Sequence, residues 1–220
     1  MTFHIISIFP HILDSYTNES ILKRAQQNGA ITIKAHALRD WTEDKHKTVD
    51  DTPYGGGAGM LMKIEPLYKA IRDVRATCQG ETKVVLLSAK GKTWNQQRAK
   101  KFTKLDNLIL VCGRYEGVDE RITKFIDEEI SIGDFVLTGG EIGALVLLDS
   151  IARLLPGVLG NDDSSISESH SRPGILEYPQ YTKPSLFEVD GKKYPIPKVL
   201  LSGNHAEIEK WREKMSKNKS

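Results

Sequence analysis

Cysteine is scarce in this chain: Cys78 and Cys112 are the only two in 220 residues, and no metal-ligand spacing surrounds either. That excludes a disulfide framework or a zinc module, and a reduced cytosolic chain with free thiols is the expectation. Long apolar runs are missing too. None approaches the roughly 18 residues of a membrane span, and Ile142 to Leu148 (IGALVLL), among the longest, reads as a core helix. The opening MTFHIISIFP has no basic leader and is closed by Pro10, so a first strand is expected there and not a signal peptide. Charge of one sign is also lacking. A formal net charge of +2 does not by itself announce a nucleic-acid binder. There are no internal repeats, and no Ser-His-Asp, Cys-His or zinc arrangement stands at a useful spacing. His170 and His205 read as surface residues or caps.

What is present is an ordinary soluble composition, 39% apolar and 27% charged, long enough for one substantial core and a small appended domain. Phe3 to Phe9 reads as a buried strand. Ile12, Leu13, Tyr16, Ile21, Leu22 and Ala25 follow at roughly helical spacing, stopped by Asn28-Gly29. Ile31 to Leu38 alternates as a second strand. Arg39 to Gly59 loses all periodicity and is expected to be a long charged loop, either functional or a mobile surface segment. Its glycine run lacks a Gly-Lys-Ser/Thr ending, and Met60 fills the last glycine slot of a G-x-G-x-x-G pattern, so both nucleotide fingerprints are rejected.

A helix is then expected with Pro66 in its first turn and Leu67, Ala70, Ile71 and Val74 inward. Lys83 to Leu87 reads as a strand, Ser88 to Gly91 as a loop, and Thr93 as the cap of a helix carrying Trp94, Ala99 and Phe102. Leu108 to Cys112 is the next strand, followed by a helix through Glu120 and Phe125, a short strand near Glu129 to Ile132, a loop from Gly133 to Gly140 and a helix from Glu141 to Leu155. Strands alternating with helices imply a mainly parallel open α/β sheet with ligands at the carboxyl ends of its strands. Residues 161–174 are polar and serine-rich, and read as a linker. Tyr178 to Val199 is proline-punctuated and read as irregular. Asn204 and Glu207 form a capping box for a last helix through Ile208, Trp211 and Met215. Basic residues interleaved with Tyr181, Tyr194 and Trp211 suit either an RNA surface or a solvated tail.

The densest chemistry lies in Leu108 to Gly160, where Arg114, Glu116, Asp134 and Glu141 stand beside glycines that admit a ligand to the backbone. No lysine follows a glycine in phosphate-cradling style, so a flat heterocycle without phosphates suits these loops. Glu116 or Asp134 can meet a cationic part of it, and each carboxylate has the plainer alternative of capping or pairing with Arg114 or Arg121. Arg153, set among Ile151, Leu154 and Leu155, needs a partner or solvent.

Six segments in order, VDDTPYGGGAGM, LILVCGRYEGVDER, SIGDFVLTGGE, LLPGVLG, YPQYTKP and LLSGNHAEIEKWR, give the chain its resemblance to the bacterial tRNA (guanine-N1)-methyltransferases. Those enzymes methylate the guanosine just 3′ of the anticodon. The resemblance implies an α/β domain over 1–160, with a mainly parallel sheet and helices on both faces, tied in a trefoil knot that binds S-adenosylmethionine. It further implies a linker over 161–177 and a short, mostly helical tRNA-binding domain over 178–220. A cytoplasmic homodimer acting on the tRNA anticodon arm, with an active site shared between subunits, also follows.

Carried over by motif, the methyl-donor site would comprise Leu87, Ser88, Gly113, Tyr115, Glu116, Gly117, Ile132, Gly133, Asp134, Phe135, Val136, Leu137, Gly139 and Gly140. Asp50, Gly55, Gly56, Gly57 and Arg114 would serve the target base, and Glu116 would hold a magnesium ion if one is used. Arg153 would be the guanidinium that stabilises the reacting guanine. The general base of the family is a linker aspartate followed by serine; here Glu168 and Ser169 stand in its place, with Asp162 and Asp163 as the neighbouring acids. Two other readings remain at this point: a related knotted enzyme acting on ribosomal RNA, and a non-catalytic RNA-binding module.

Overall fold

The computed structural model describes residues 1–159, 169–170 and 175–218. Two compact units emerge, Met1–Gly160 and Asn161–Ser220.

The first unit opens with β1 (Thr2–Ser7), then a 3-10 turn at Pro10–Leu13, α1 (Asp14–Thr17) and α2 (Ser20–Gln27). The single helix expected here is broken, because Ser20 takes a positive φ of 48° that resets the chain direction. There follow β2 (Thr32–Ala37), β3 (Asp50–Asp51), β4 (Leu61–Met62) and α3 (Ile64–Ala76). β3 and β4 pair antiparallel, so the long loop expected from residue 39 to 59 is anchored at its far end. Next come β5 (Thr82–Thr93), α4 (Gln96–Phe102), β6 (Asn107–Cys112), a 3-10 helix at Glu120–Phe125, β7 (Glu128–Ser131) and α5 (Glu141–Ala152).

Five strands form one sheet in the order β2-β1-β6-β5-β7, every pair parallel. β6 is buried along its whole length, which is why NLILVC is a continuous and not an alternating run. Alternate residues of the central strands feed two cores. On one face Phe3, Ile5, Val85, Leu108 and Leu110 pack with Leu22, Ala99, Phe102, Leu147 and Ile151. On the other, Ile6, Val84, Leu86, Ile109 and Val111 pack with Leu67, Ala70, Ile71 and Val74 of α3. Helices therefore cover both faces, as the α/β reading requires. Truncating a fully buried member such as Leu110 to Ala would cost about 2–5 kcal/mol.

β5 outruns its expected end. After a register shift between Leu87 and Lys92 it pairs again with β7 through Lys92 and Thr93. Thr93 is thus a strand residue, and Asn95 caps α4 by accepting the Arg98 amide at 3.0 Å. Beyond β7 the chain leaves the sheet edge and returns to its middle, where Arg114 and Gly139 form an isolated antiparallel bridge.

The second unit contains β8 (Ile175–Leu176), β9 (Leu186–Val189), β10 (Lys192–Pro195), a 3-10 turn at Lys198–Leu201, α6 (His205–Met215) and β11 (Lys217–Asn218). β9 and β10 form a hairpin where irregular chain was expected. The positive φ values of Asp190 (50°) and Gly191 (72°) are those of a two-residue hairpin turn. Asn204 caps α6 through the Glu207 amide at 3.3 Å. Trp211 of α6 packs at 6.4 and 6.3 Å between ring centroids on Tyr178 and Tyr181.

Candidate active site

Where β5 shifts register after Leu87, and at the carboxyl ends of β6 and β7, three segments enclose a cavity of about 460 Å³, within the ordinary range for a small-molecule site. The first, within β5, brings Leu87 and Ser88; the second, a loop, brings Gly113, Tyr115, Glu116 and Gly117; the third, also a loop, brings Ile132, Gly133, Phe135, Val136, Leu137, Gly139 and Gly140. Every donor-site residue expected from the sequence lines this cavity except Asp134. Leu61, Val118, Ile130 and Gly143 line it as well.

The walls approach closely because glycine permits it. A Cβ on Gly140 would lie 2.8 Å from the Cys112 Cα and 3.0 Å from the Gly113 nitrogen. The lining is mixed: the apolar side chains of Leu87, Ile132, Phe135 and Leu137 stand beside loop backbone free of side chains at Gly113, Gly117, Gly133 and Gly139. Such a surface accepts a planar heterocycle on apolar faces with main-chain donors and acceptors at its edge.

The loop from β3 to β4 reaches the same place. The Glu116 amide donates to the Met60 carbonyl at 3.1 Å and the Met62 amide to the Gly117 carbonyl at 2.9 Å. Glu116 carbons crowd the position a Cβ would take on Gly59, whose φ is +82°. Burial, then the charge and hydrogen bond of Asp50, push the Tyr115 phenol upward, while Arg39 pulls it down. Asp50 is thereby tied to the second wall of the cavity. Gly55, Gly56 and Gly57 have positive φ and are exposed; no atom lies within 4 Å of a Cβ built on the first two. They are not among the residues lining the cavity.

Arg114 lines the cavity, and its Nε lies 3.2 and 3.1 Å from the two oxygens of Glu141. Glu141 is 2% exposed and also accepts the Ser7 hydroxyl at 2.6 Å. The sequence marks Glu141 beside its glycines without giving it a role, and gives no sign of Ser7. The available signal was an acid directly after Gly139-Gly140 at the head of an apolar helix, with an arginine on the preceding glycine loop.

Arg153 is not brought to this cavity. It follows the last residue of α5, while Gly140 and Gly143 at the other end of that helix form the wall. At 1.5 Å per residue Arg153 stands about 15 Å along the helix from Gly143 and about 20 Å from Gly140. Glu168, Asp162 and Asp163 lie outside the described residues. Among those described, no group of three or more His, Cys, Asp or Glu side chains is placed to hold a metal ion, so the magnesium expectation at Glu116 gains no support. Cys112 sits fully buried beneath the site; burial pushes its thiol well above the ordinary range, leaving it unreactive. No helix among the described residues is long and apolar enough to cross a membrane.

A family model described as tRNA (Guanine-1)-methyltransferase TrmD matches residues 1–220. Among curated proteins, a tRNA (guanine-N(1)-)-methyltransferase of Citrifermentans bemidjiense is 52% identical over 215 residues, covering 97% of this chain and 84% of the relative. Its namesake in Dictyoglomus turgidum is 53% identical over 216 residues, with 98% and 85% covered. A third, from Francisella philomiragia, is 53% identical over 215 residues, with 97% and 83% covered.

Proposed function

Because this chain belongs to the tRNA (guanine-1)-methyltransferase family, we propose that its cavity binds S-adenosylmethionine and that the methyl group goes to N1 of the guanosine 3′ of the anticodon. One observation carries this reading: two of the segments that carry the resemblance, LILVCGRYEGVDER and SIGDFVLTGGE, close with Leu87 and Ser88 of β5 on a single cavity at one edge of a parallel sheet.

The residues present fit the donor. Gly140 and Gly113 leave a narrow cradle that any Cβ at Gly140 would fill, and the lining offers apolar faces and open backbone, with Lys90 engaged by Glu120. Leu87, Ile132, Phe135 and Leu137 would hold the adenine, with the backbone of the third loop at its edge. When bound, the donor supplies an electrophilic methyl on a sulfonium sulfur.

The work left to the protein is deprotonation and charge stabilisation. Guanine N1 carries a proton and is a poor nucleophile until a base removes it. Glu168 is that base: its carboxylate takes the N1 proton. Negative charge then moves toward O6, where the guanidinium of Arg153 stabilises it. Asp50, tied to Tyr115, and the open backbone of Gly55 to Gly57 receive the target base and its neighbours.

The active enzyme is a homodimer. Arg153 stands too far along α5 to serve the cavity of its own chain, whereas a second copy can supply it. Ile142 and Val146, four residues apart on α5, are 56% and 40% exposed; Ile12 and Tyr16 are also largely exposed. An apolar face of that kind suits burial against another copy.

Two measurements test the reading together. Calorimetry should show binding of S-adenosylhomocysteine, and a tRNA transcript should be methylated only when it carries the guanosine 3′ of the anticodon. A protein that binds no S-adenosylhomocysteine, or methylates a transcript lacking that guanosine, would overturn it.

A further inference from the structure

The ion pair between Arg114 and Glu141 lies at the wall of the cavity and is not a surface contact: their side chains are 19% and 2% exposed. Removing such a pair from water costs several kcal/mol per ion, and apolar residues of similar shape would commonly serve stability as well. A buried pair at a ligand cavity therefore invites a reading in terms of placement.

The geometry restrains Arg114 from every side but one. Glu141 takes its Nε through both oxygens, and the Ser7 hydroxyl fixes Glu141 in turn at 2.6 Å. Ser7 is itself oriented, its oxygen accepting the Phe9 amide at 2.9 Å. The ring of Phe9 lies 5.0 Å from the guanidinium carbon and covers one face. The backbone is held as well, by the Gly139 bridge and by the Met62 sulfur, which accepts the Arg114 amide at 3.1 Å. Gly139 has no side chain where the Arg114 and Glu141 side chains meet, and a Cβ there would strike both.

What remains is the outer edge of the guanidinium. Among the described residues its two terminal nitrogens have no acceptor, and neither is sealed from solvent without one. The cavity's other cation, Lys90, is engaged with Glu120 at 3.2 Å. Arg114 is thus a fork aimed by its inner edge and open at its outer edge, the form that grips an oxyanion through two parallel hydrogen bonds.

We propose that Arg114 is an oxyanion receptor in the cavity and that Glu141, held by Ser7, is the positioning residue that aims it. The inference rests on the methyl-donor reading and deepens it. The oxyanion has two sources there: the carboxylate of the donor's methionine portion, or a phosphate of the RNA beside the target base. Glu141 touches neither and acts through Arg114.

The test compares wild type with Glu141→Gln, which keeps the shape and loses the charge. Calorimetry with S-adenosylhomocysteine and with its decarboxylated analogue isolates the carboxylate. If the carboxylate is the ligand, wild type prefers the complete molecule and Glu141→Gln loses that preference about tenfold, with KM for tRNA unchanged. If the ligand is a phosphate, the preference stays, KM for tRNA rises about tenfold, and the slope of log KM against log salt falls by about one. Either result upholds the receptor. A folded Glu141→Gln that alters neither quantity, or weakens both compounds equally, overturns it. Should that variant fail to fold, Arg114→Lys keeps the charge but loses the fork, and must show one of the two losses. Wild type that binds neither compound would instead sink the methyl-donor reading.

Discussion

The amide of Gly140 donates to the carbonyl of Gly113 at 2.8 Å, seating the chain that enters α5 directly on the end of β6. This contact joins two walls of the cavity and leaves no room for a side chain. The φ of Gly140 is −79°, so alanine would meet no backbone strain. Its Cβ would still collide with the Cys112 Cα, the Gly113 nitrogen and the Leu87 Cβ. Two of those atoms belong to the backbone of a central strand and its exit, which cannot move freely. Gly140→Ala should therefore cost about 1–3 kcal/mol of stability by overpacking, measured by urea unfolding. It should also weaken S-adenosylhomocysteine binding at least tenfold. Unchanged binding would mean that the cavity is not shaped by this contact.

The sequence showed much of this arrangement and concealed a definable part. β6 was legible because a fully buried parallel strand is written as an unbroken apolar run. The glycine loops were legible as cavity walls because charged residues cluster beside glycines that admit a close approach. The extension of β5 through Thr93 was not, since its second half pairs with β7 only after a register shift, and no local pattern encodes a shift. The hairpin at Leu186–Pro195 is masked by flanking prolines that suggest irregular chain, although Asp190-Gly191 is a turn signal. Ser7 escaped because its role depends on Glu141, 134 residues away. The doubling-back after β7 is likewise a matter of long-range path, to which periodicity is blind.

Glu168→Gln should reduce methylation by at least about a hundredfold, because an amide cannot take the N1 proton. S-adenosylhomocysteine affinity should change little, since Glu168 is assigned to the base and not to the donor. Glu168→Asp restores the family's usual acid and should retain substantial turnover. Wild-type rates for the glutamine variant would move the role to another group, with Asp162 and Asp163 the first to test by the same substitution.

His4 and His36 set a limit on stability in acid. Their rings stack 5.2 Å apart, with His4 Nδ1 3.0 Å from His36 Nε2 and the Cys78 sulfur 3.7 Å from His4 Nε2. Burial, then the His36 charge, then Lys34, lower the His4 pKa from 6.5 to about 4. His36 is lowered too, by burial and Lys34. Both rings are thus neutral in the folded chain at pH 7. Below pH 6.5 the unfolded chain binds a proton at His4 that the folded chain refuses, so stability falls with falling pH. The loss accumulates as pH falls from 6.5 to about 4. Urea unfolding at several pH values between 7.5 and 4.5, for wild type and His4→Met, should give a shallower acid decline in the variant. Parallel curves would show that His4 is not the group responsible.

Arg153→Ala separates catalysis from architecture. Arg153 caps the carboxyl end of α5, its amide donating to the Asp149 carbonyl at 3.1 Å, a bond the backbone keeps whatever the side chain. Alanine is the best helix former, so α5 should end where it does now. If the guanidinium stabilises charge on the guanine O6, its loss should lower kcat about 10²–10³-fold. S-adenosylhomocysteine affinity and the sedimentation behaviour of the proposed dimer should stay close to wild type. Arg153→Lys should recover only part of the rate, because an ammonium keeps the charge without the planar fork. Equal losses in turnover and donor affinity, or dissociation of the dimer, would mean that Arg153 holds the subunits together and leaves the chemistry to other residues.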